Sequence, residues 1–207
     1  MRRTNLLGGM HLLGALSFSL LAQAQQPEDK IRLQSTDVAV TYSAEGGKVA
    51  PSKSDRFWMH GGSAEAAFTF YRGLGLAVNI NGQHASSIAP GVDVNKVSFV
   101  VGPRYSYDTT RFTERWLKSR KTSVFGETLM GATHAFNGLF PSGMQGIKSG
   151  TNAFAAQIGG GVNVSLAKGF GLRPFQMDYI YTALPNTGTD AQHDIRLSIG
   201  VTYHIGK

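Results

Sequence analysis

The feature that most constrains this chain is a strict two-residue alternation in its last stretch, His193–Lys207, which reads HDIRLSIGVTYHIGK. Ile195, Leu197, Ile199, Val201 and Tyr203 fall on one side of an extended strand, and Asp194, Arg196, Ser198, Gly200 and Thr202 fall on the other. Side chains alternate faces along a strand, so one face is apolar throughout and the other is polar or small. Two architectures accept such a strand. One is a soluble sandwich with the apolar face turned in; the other is a barrel with that face turned out to lipid.

The same alternation recurs seven times upstream. The predicted strands lie near Ser35–Ala44, Phe57–Tyr71, Leu74–His84, Lys96–Tyr107, Ser123–Ala135, Asn152–Leu166 and Phe170–Ala183, with His193–Lys207 as the eighth. In the fifth, Glu127 sets the phase: Phe125, Leu129 and Gly131 share its face, while Val124, Gly126, Thr128, Met130 and Ala132 face away. Pro174 in the seventh marks a bulge or an irregular edge, because proline cannot donate to the ladder.

Three patterns choose the lipid-facing arrangement. First, the polar faces combine small residues (Gly75, Gly102, Gly159, Gly161, Gly200) with Glu65, Arg104, Glu127, Asp178 and Arg196. A soluble exterior carries many Lys and Glu, and here charged residues are only 16% of the chain. Second, links after strands one, three, five and seven are long and polar, and those after two and six are short, the outer-membrane rule. Third, aromatics form two bands: Phe68, Phe70, Tyr105, Tyr107 and Tyr203 at one rim, and Tyr42, Phe57, Trp58, Phe154, Tyr179 and Tyr181 at the other. The expected fold is all-β: an eight-stranded, antiparallel, up-and-down transmembrane β-barrel over 35–207.

The N-terminus reads as a signal peptide. Arg2 and Arg3 precede the short apolar run Leu12–Ala22, and Ala22-Gln23-Ala24 is an A-x-A cleavage site. Residues 1–24 are expected to be removed, leaving 25–34 as a flexible periplasmic lead-in. Losing Arg2 and Arg3 lowers the formal charge from +7 to +5. No basic run with interleaved aromatics points to nucleic acid. With no cysteine, the chain has neither a disulfide nor a lipoprotein anchor.

The chain resembles the small outer-membrane β-barrel group that includes outer-membrane proteins A, X and W. The resemblance covers about 35–206 and rests on the alternation, the hairpin order and the closing strand. Val101-Gly102-Pro103-Arg104-Tyr105 and Gly159-Gly160-Gly161-Val162 look like fragments of uncharacterised barrels of this kind. It implies a bacterial outer-membrane location of Gram-negative type and a monomer. It also implies a closing strand (Leu197, Ile199, Val201, Tyr203) read by the barrel-insertion machinery. That signal usually ends in an aromatic residue, whereas this chain continues through Ile205-Gly206-Lys207.

A barrel of about eight strands is just wide enough for side chains to fill it. Glu65, Arg104, Glu127, Asp178 and Arg196 are therefore expected to form a structural lumen network, with a gated passage as the sharper alternative. Arg173 joins the set or sits at the rim, depending on the phase that Pro174 imposes. Loops Glu45–Asp55, Ala85–Asn95, Phe136–Gly150 and Leu184–Gln192 are expected outside, where Lys48, Lys53, Lys96 and Lys148 would meet anionic lipopolysaccharide. The link Asp108–Lys121 is basic through Arg111, Arg115, Lys118, Arg120 and Lys121, with Phe112, Trp116 and Leu117 near helical spacing. It reads as a solvated turn or as a short interfacial helix on anionic lipid; its length favours the turn.

His60, His84, His134, His193 and His204 are scattered among strand ends with no H-x-x-x-H or H-E-x-x-H, and each reads as a rim residue. No G-x-S-x-G is present, and His193 faces away from Asp194 and Ser198. No catalytic residue, cofactor or metal site is expected. The role is structural or surface-interactive. A narrow transport barrel for small or apolar solutes and a lipid-modifying enzyme are the alternatives.

Overall fold

A computed structural model of the chain describes residues 32–48, 56–89, 92–117, 120–142, 146–185 and 190–206. The expected signal peptide, the lead-in up to Ile31, Lys53 and the Pro90-Gly91 turn lie outside the described residues. Eight strands are present: β1 (Ser35–Lys48), β2 (Arg56–Tyr71), β3 (Leu74–Ala89), β4 (Val92–Asp108), β5 (Thr122–Ser142), β6 (Gly146–Ala167), β7 (Phe170–Thr182) and β8 (Gln192–Gly206). Each pairs antiparallel with its sequence neighbours, and β1 pairs with β8, closing the barrel.

Register fixes the shape. Starting at Thr36, partners run through Phe68, Leu76 and Pro103. They continue through Thr128, Ile158, Tyr179 and Ile195, and return to β1 at Gly46, ten residues along. A stagger of ten over eight strands requires a tilt of roughly 40° and leaves an interior that side chains can fill. Two hairpins turn through a residue and a glycine, both at positive φ: Arg72 (45°) with Gly73 (86°), and Lys168 (50°) with Gly169 (85°). That is the type I′ geometry whose twist matches the strands.

The apolar faces point outward. Val40, Leu76, Ile80, Phe99, Met130, Ile158, Ile195, Ile199 and Val201 are all exposed. Thr41, Glu65, Asn79, Asn81, Glu127, Gln157, Asp178 and Arg196 are buried. A soluble fold cannot leave so large a contiguous apolar surface in water. Among the described residues no helix is long and apolar enough to cross a membrane. The strand-five phase holds: Phe125, Glu127 and Leu129 are buried while Val124, Thr128 and Met130 are exposed.

Several expectations need correction. Two of the expected outer loops are largely strand, and a third begins as strand. β1 continues past Glu45 to Lys48, β3 and β4 extend to Ala89 and from Val92, and β5 and β6 pair out to Ser142 and Gly146. Glycine-rich stretches were read as loops, but backbone pairing continues where side chains carry no periodic signal. Phe57 was assigned to the outward aromatic band, yet it lies on the lumen side against Gly47, as its odd number in β2 requires. Gln34 is not a free lead-in; its N–H donates to the Thr69 carbonyl at 2.8 Å. The link after β4 is not a plain turn: it carries a helix, α1 (Thr110–Leu117).

Candidate functional site: a sealed polar lumen and its two rims

Inward positions of all eight strands converge on the lumen, and they carry five buried carboxylates and four buried bases. Near the end where β2 turns into β3, Glu65 of β2 accepts hydrogen bonds from Arg104 of β4 and from Arg173 of β7, the latter at 2.9 Å. Arg104 also reaches Glu127 of β5 at 3.3 Å. Both guanidinium groups lie over the Phe125 ring, their Cζ atoms 3.7 and 4.4 Å from its centre. A cation over an aromatic face gains attraction that water would otherwise weaken. The bulge in β7 makes this possible. Pro174 and Phe175 both face out, so Arg173 and Gln176 both face in and hydrogen-bond at 2.8 Å.

One layer further on, Arg196 donates to Asp178 at 3.0 and 3.1 Å and to Gln157 at 2.8 Å. Gly159 makes room for this pair: a Cβ there would strike the Asp178 carboxylate and the Met177 carbonyl. Leu129 and Val100, with Ala67, Ala77 and Ala155, fill the wall beside these layers.

A second charged group lies toward the opposite end. Lys96 of β4 pairs with Glu45 of β1 and reaches Asp194 of β8 at 3.5 Å. All three are buried. Lys96 was expected at the outer end of the fourth strand, facing lipopolysaccharide. Because β4 starts at Val92, Lys96 instead sits on the inward face, four residues into the strand. Of the other three lysines, Lys148 is exposed on the far extension of β6, and Lys53 lies outside the described residues. Lys48 ends β1 opposite Arg56, and its side chain is outside the described set.

The structure thus brings together Glu65, Arg104 and Glu127, and separately Asp178 and Arg196. Arg173 links the first group to Gln176, which donates to Asp178 at 3.1 Å. The Glu45–Lys96–Asp194 cluster was missed because Glu45 lay inside a segment read as a loop and Lys96 was placed at the outer end of the fourth strand. A cavity beside Glu45, Asn81 and Lys96 has about 10 Å³, room for one water.

At the end of the short hairpins lies an open vestibule of about 520 Å³. Asp37, Thr69, Asp108, Lys121, Asn163, Thr202 and His204 are among its lining residues. His204 and Asp37 pair across the closing seam at 2.6 Å. α1 borders this end. Its start is capped by Asp108, whose carboxylate accepts the Thr110 N–H at 2.8 Å. These hydrogen bonds from Thr110 hold the Asp108 carboxyl below its usual range. Arg111 and Phe112 of α1 are exposed, Phe112 at 74%. Arg120 donates to the Leu166 carbonyl at 3.3 Å, tying the link to β6. Arg115, Trp116 and Lys118 have side chains outside the described set.

Outward aromatics mark two levels. Tyr105, Tyr107, Phe170 and Tyr203 ring the hairpin end, and Tyr42, Trp58, Phe154 and Tyr179 ring the other. With the tilt above, the bands stand roughly 25 Å apart, the height of an outer-membrane apolar belt.

No family model and no curated protein sequence matches the chain. Solved structures do match. Ail, the attachment invasion locus protein of Yersinia pestis, solved with the heparin analogue sucrose octasulfate, is 15% identical with a TM-score of 0.51. The match covers 84% of this chain and all of Ail. Neisserial surface protein A is 15% identical with a TM-score of 0.56, over 81% of this chain and 96% of that one. The fold is that of the small outer-membrane barrels. This barrel agrees with theirs in strand order and closure, and at such identity the agreement concerns the fold alone.

Proposed function

We propose that this protein is an integral outer-membrane barrel of a Gram-negative-type bacterium, closed to solutes, with a structural and surface-interaction role. The observation that carries this reading is the pairing of an apolar exterior with a charged interior whose ions pair with one another across the barrel. Such a network rigidifies the wall and leaves no conducting path. The long-hairpin end then faces outside, presenting Lys148 and the loop lysines Lys48 and Lys53 to lipopolysaccharide. The likeness to Ail, which was solved with a sulfated sugar analogue, supports a surface that meets polyanions.

In this orientation the vestibule and α1 face the periplasm. Arg111, Arg115, Lys118, Arg120 and Lys121 would touch anionic head groups of the inner leaflet, with Phe112 and Trp116 at the interface. Residues 1–24 are removed on export, and the outward residues Leu197, Ile199, Val201 and Tyr203 of β8 are read during insertion. The barrel acts as a monomer.

The test is conductance in planar bilayers combined with recovery from outer membranes. The expected result is a heat-modifiable outer-membrane band that gives no current steps above leak. Recovery in the soluble periplasmic fraction would overturn the membrane reading; regular conductance steps would overturn the sealed lumen in favour of transport. Substituting Arg115→Glu and Lys118→Glu is expected to weaken binding to anionic vesicles, and unchanged binding would remove α1 from the interface.

A further inference from the structure

Four histidines that look unrelated in the sequence come to one level of the barrel. His60 on β2 is the direct register partner of His84 on β3. His84 is the partner of Asn95 on β4, and Asn95 of Phe136, two residues past His134 on β5. His193 on β8 is the partner of Tyr181 on β7. A stagger of ten over eight strands lifts each successive strand by about 1.25 residues, which brings all four within roughly 5 Å along the axis. All four are exposed on the outer face, at the level of Trp58, Phe154 and Tyr181 and one step outward of Tyr42 and Tyr179. They occupy the belt where Tyr and Trp normally sit alone.

Each ring is oriented by a neighbour. Nδ1 of His84 lies 2.8 Å from Asn95 Oδ1, and Nδ1 of His134 lies 2.6 Å from Asn152 Oδ1. An amide oxygen only accepts, so in both rings Nδ1 carries the proton and donates. Nδ1 of His60 bonds the Tyr42 hydroxyl at 2.9 Å, and Nδ1 of His193 bonds Tyr179 at 2.5 Å. None of the four Nδ1 bonds occupies Nε2. Tyr42, Phe136 and Tyr179 stack on His60, His134 and His193.

The geometry points to a histidine girdle that binds the phosphate groups of outer-leaflet glycolipid when the imidazoles are protonated. This deepens the proposed surface role and rests on its assignment of the long-hairpin end to the outside. The phosphates of a lipid anchored in that leaflet lie at the depth of the aromatic belt. An imidazolium there offers an N–H to a phosphate oxygen and a positive charge to its anion. Facing groups on the same wall are Tyr42, Tyr179 and Tyr181, with His60 and His84 facing each other. The carboxylates nearest in the chain are Asp93, two residues before Asn95 on β4, and Asp190, which precedes β8. Glu45 and Asp194, close in sequence, are buried on the lumen side. His204, at the other rim, pairs with Asp37 and takes no part.

The experiment uses the full barrel in zwitterionic micelles with chelator present. Binding of lipid A carrying its phosphates, and of the same lipid with phosphates removed, is measured at about pH 5.5 and about pH 8, either side of the imidazole range. Wild type is expected to bind the phosphorylated lipid more tightly at acid pH, by about fivefold for each imidazolium that engages. The gain should vanish for the dephosphorylated lipid. It should also vanish in the variant His60→Gln, His84→Gln, His134→Gln and His193→Gln, whose amides keep the belt hydrogen-bonded. His204→Gln should retain the gain, and heat-modifiable migration reports that each variant is folded. Equal binding at both pH values would overturn the girdle while leaving the proposed polyanion-facing surface standing on its lysines. No binding at either pH would overturn both.

Discussion

Arg173 on β7 donates to Glu65 on β2 across the lumen at 2.9 Å, joining strands 108 residues apart in sequence. Glu65 is shared: Arg104 on β4 donates to the same oxygen. Replacing Glu65 by Gln leaves two buried guanidinium groups with one carboxylate fewer. Removing one partner of a buried ionic group costs about 3–5 kcal/mol, far more than the pair's net contribution. Glu65→Gln is therefore expected to lower the urea midpoint of the folded barrel in vesicles, measured as the heat-modifiable fraction. Glu65→Gln combined with Arg173→Gln should recover part of that loss.

Lys96 makes the same argument at the other end. It is the buried cation between Glu45 and Asp194. Lys96→Met should destabilise the barrel by a similar amount, about 3–5 kcal/mol. Lys96→Met with Glu45→Gln and Asp194→Asn should be more stable than Lys96→Met alone. A surface lysine would give a change within about 0.5 kcal/mol, so this series separates the buried position from the exposed strand end that the sequence suggested.

Gly159 and Gly82 differ in what a methyl group would meet. At Gly159 it strikes the Asp178 carboxylate and the Met177 carbonyl, whereas at Gly82 nothing lies within 4 Å. Gly159→Ala is expected to cost about 1–3 kcal/mol through overpacking. Gly82→Ala should be neutral or gain up to about 1 kcal/mol by restricting the unfolded chain. Equilibrium unfolding in urea compares the two directly.

Architecture was legible in the sequence because alternation survives along whole strands. Ile195–Tyr203 shows it without interruption, and the Arg72-Gly73 turn and the Pro174 bulge carried their own backbone chemistry. Strand ends were not legible. Gly46-Gly47 and the glycines around Phe136–Gly150 have no side-chain pattern, although their backbones pair. That failure hid Glu45, and starting the fourth strand at Lys96 rather than at Val92 put that lysine at an exposed strand end. Arg173 was undecided because its direction depends on how many residues the bulge skips. The level shared by His60, His84, His134 and His193 needs the stagger of the closed barrel, which no local pattern records.

Asp108 caps α1 by accepting the Thr110 N–H. Asp108→Ala should remove that acceptor at a cost of about 1 kcal/mol. The effect should be local, read as faster hydrogen exchange of the α1 amides with the barrel strands unchanged. The Thr110 hydrogen bonds lower the folded-state pKa of Asp108. The cap's stabilisation is therefore fully present above the ordinary carboxylate pKa of about 4. It is lost as pH falls through the lowered folded value, so protection of α1 should decline only in strong acid.

The central claim is that the apolar face of these strands meets lipid while the polar face is sealed inside. The chain has no native cysteine, so single cysteines can be placed cleanly along β8. Spin labels at Leu197, Ser198, Ile199, Gly200 and Val201, in barrels reconstituted in bilayers, are tested for collision with oxygen and with a water-soluble nickel chelate. The account predicts a two-residue period, with Leu197, Ile199 and Val201 open to oxygen and closed to nickel. Nickel access at those three positions, or no period at all, would contradict it.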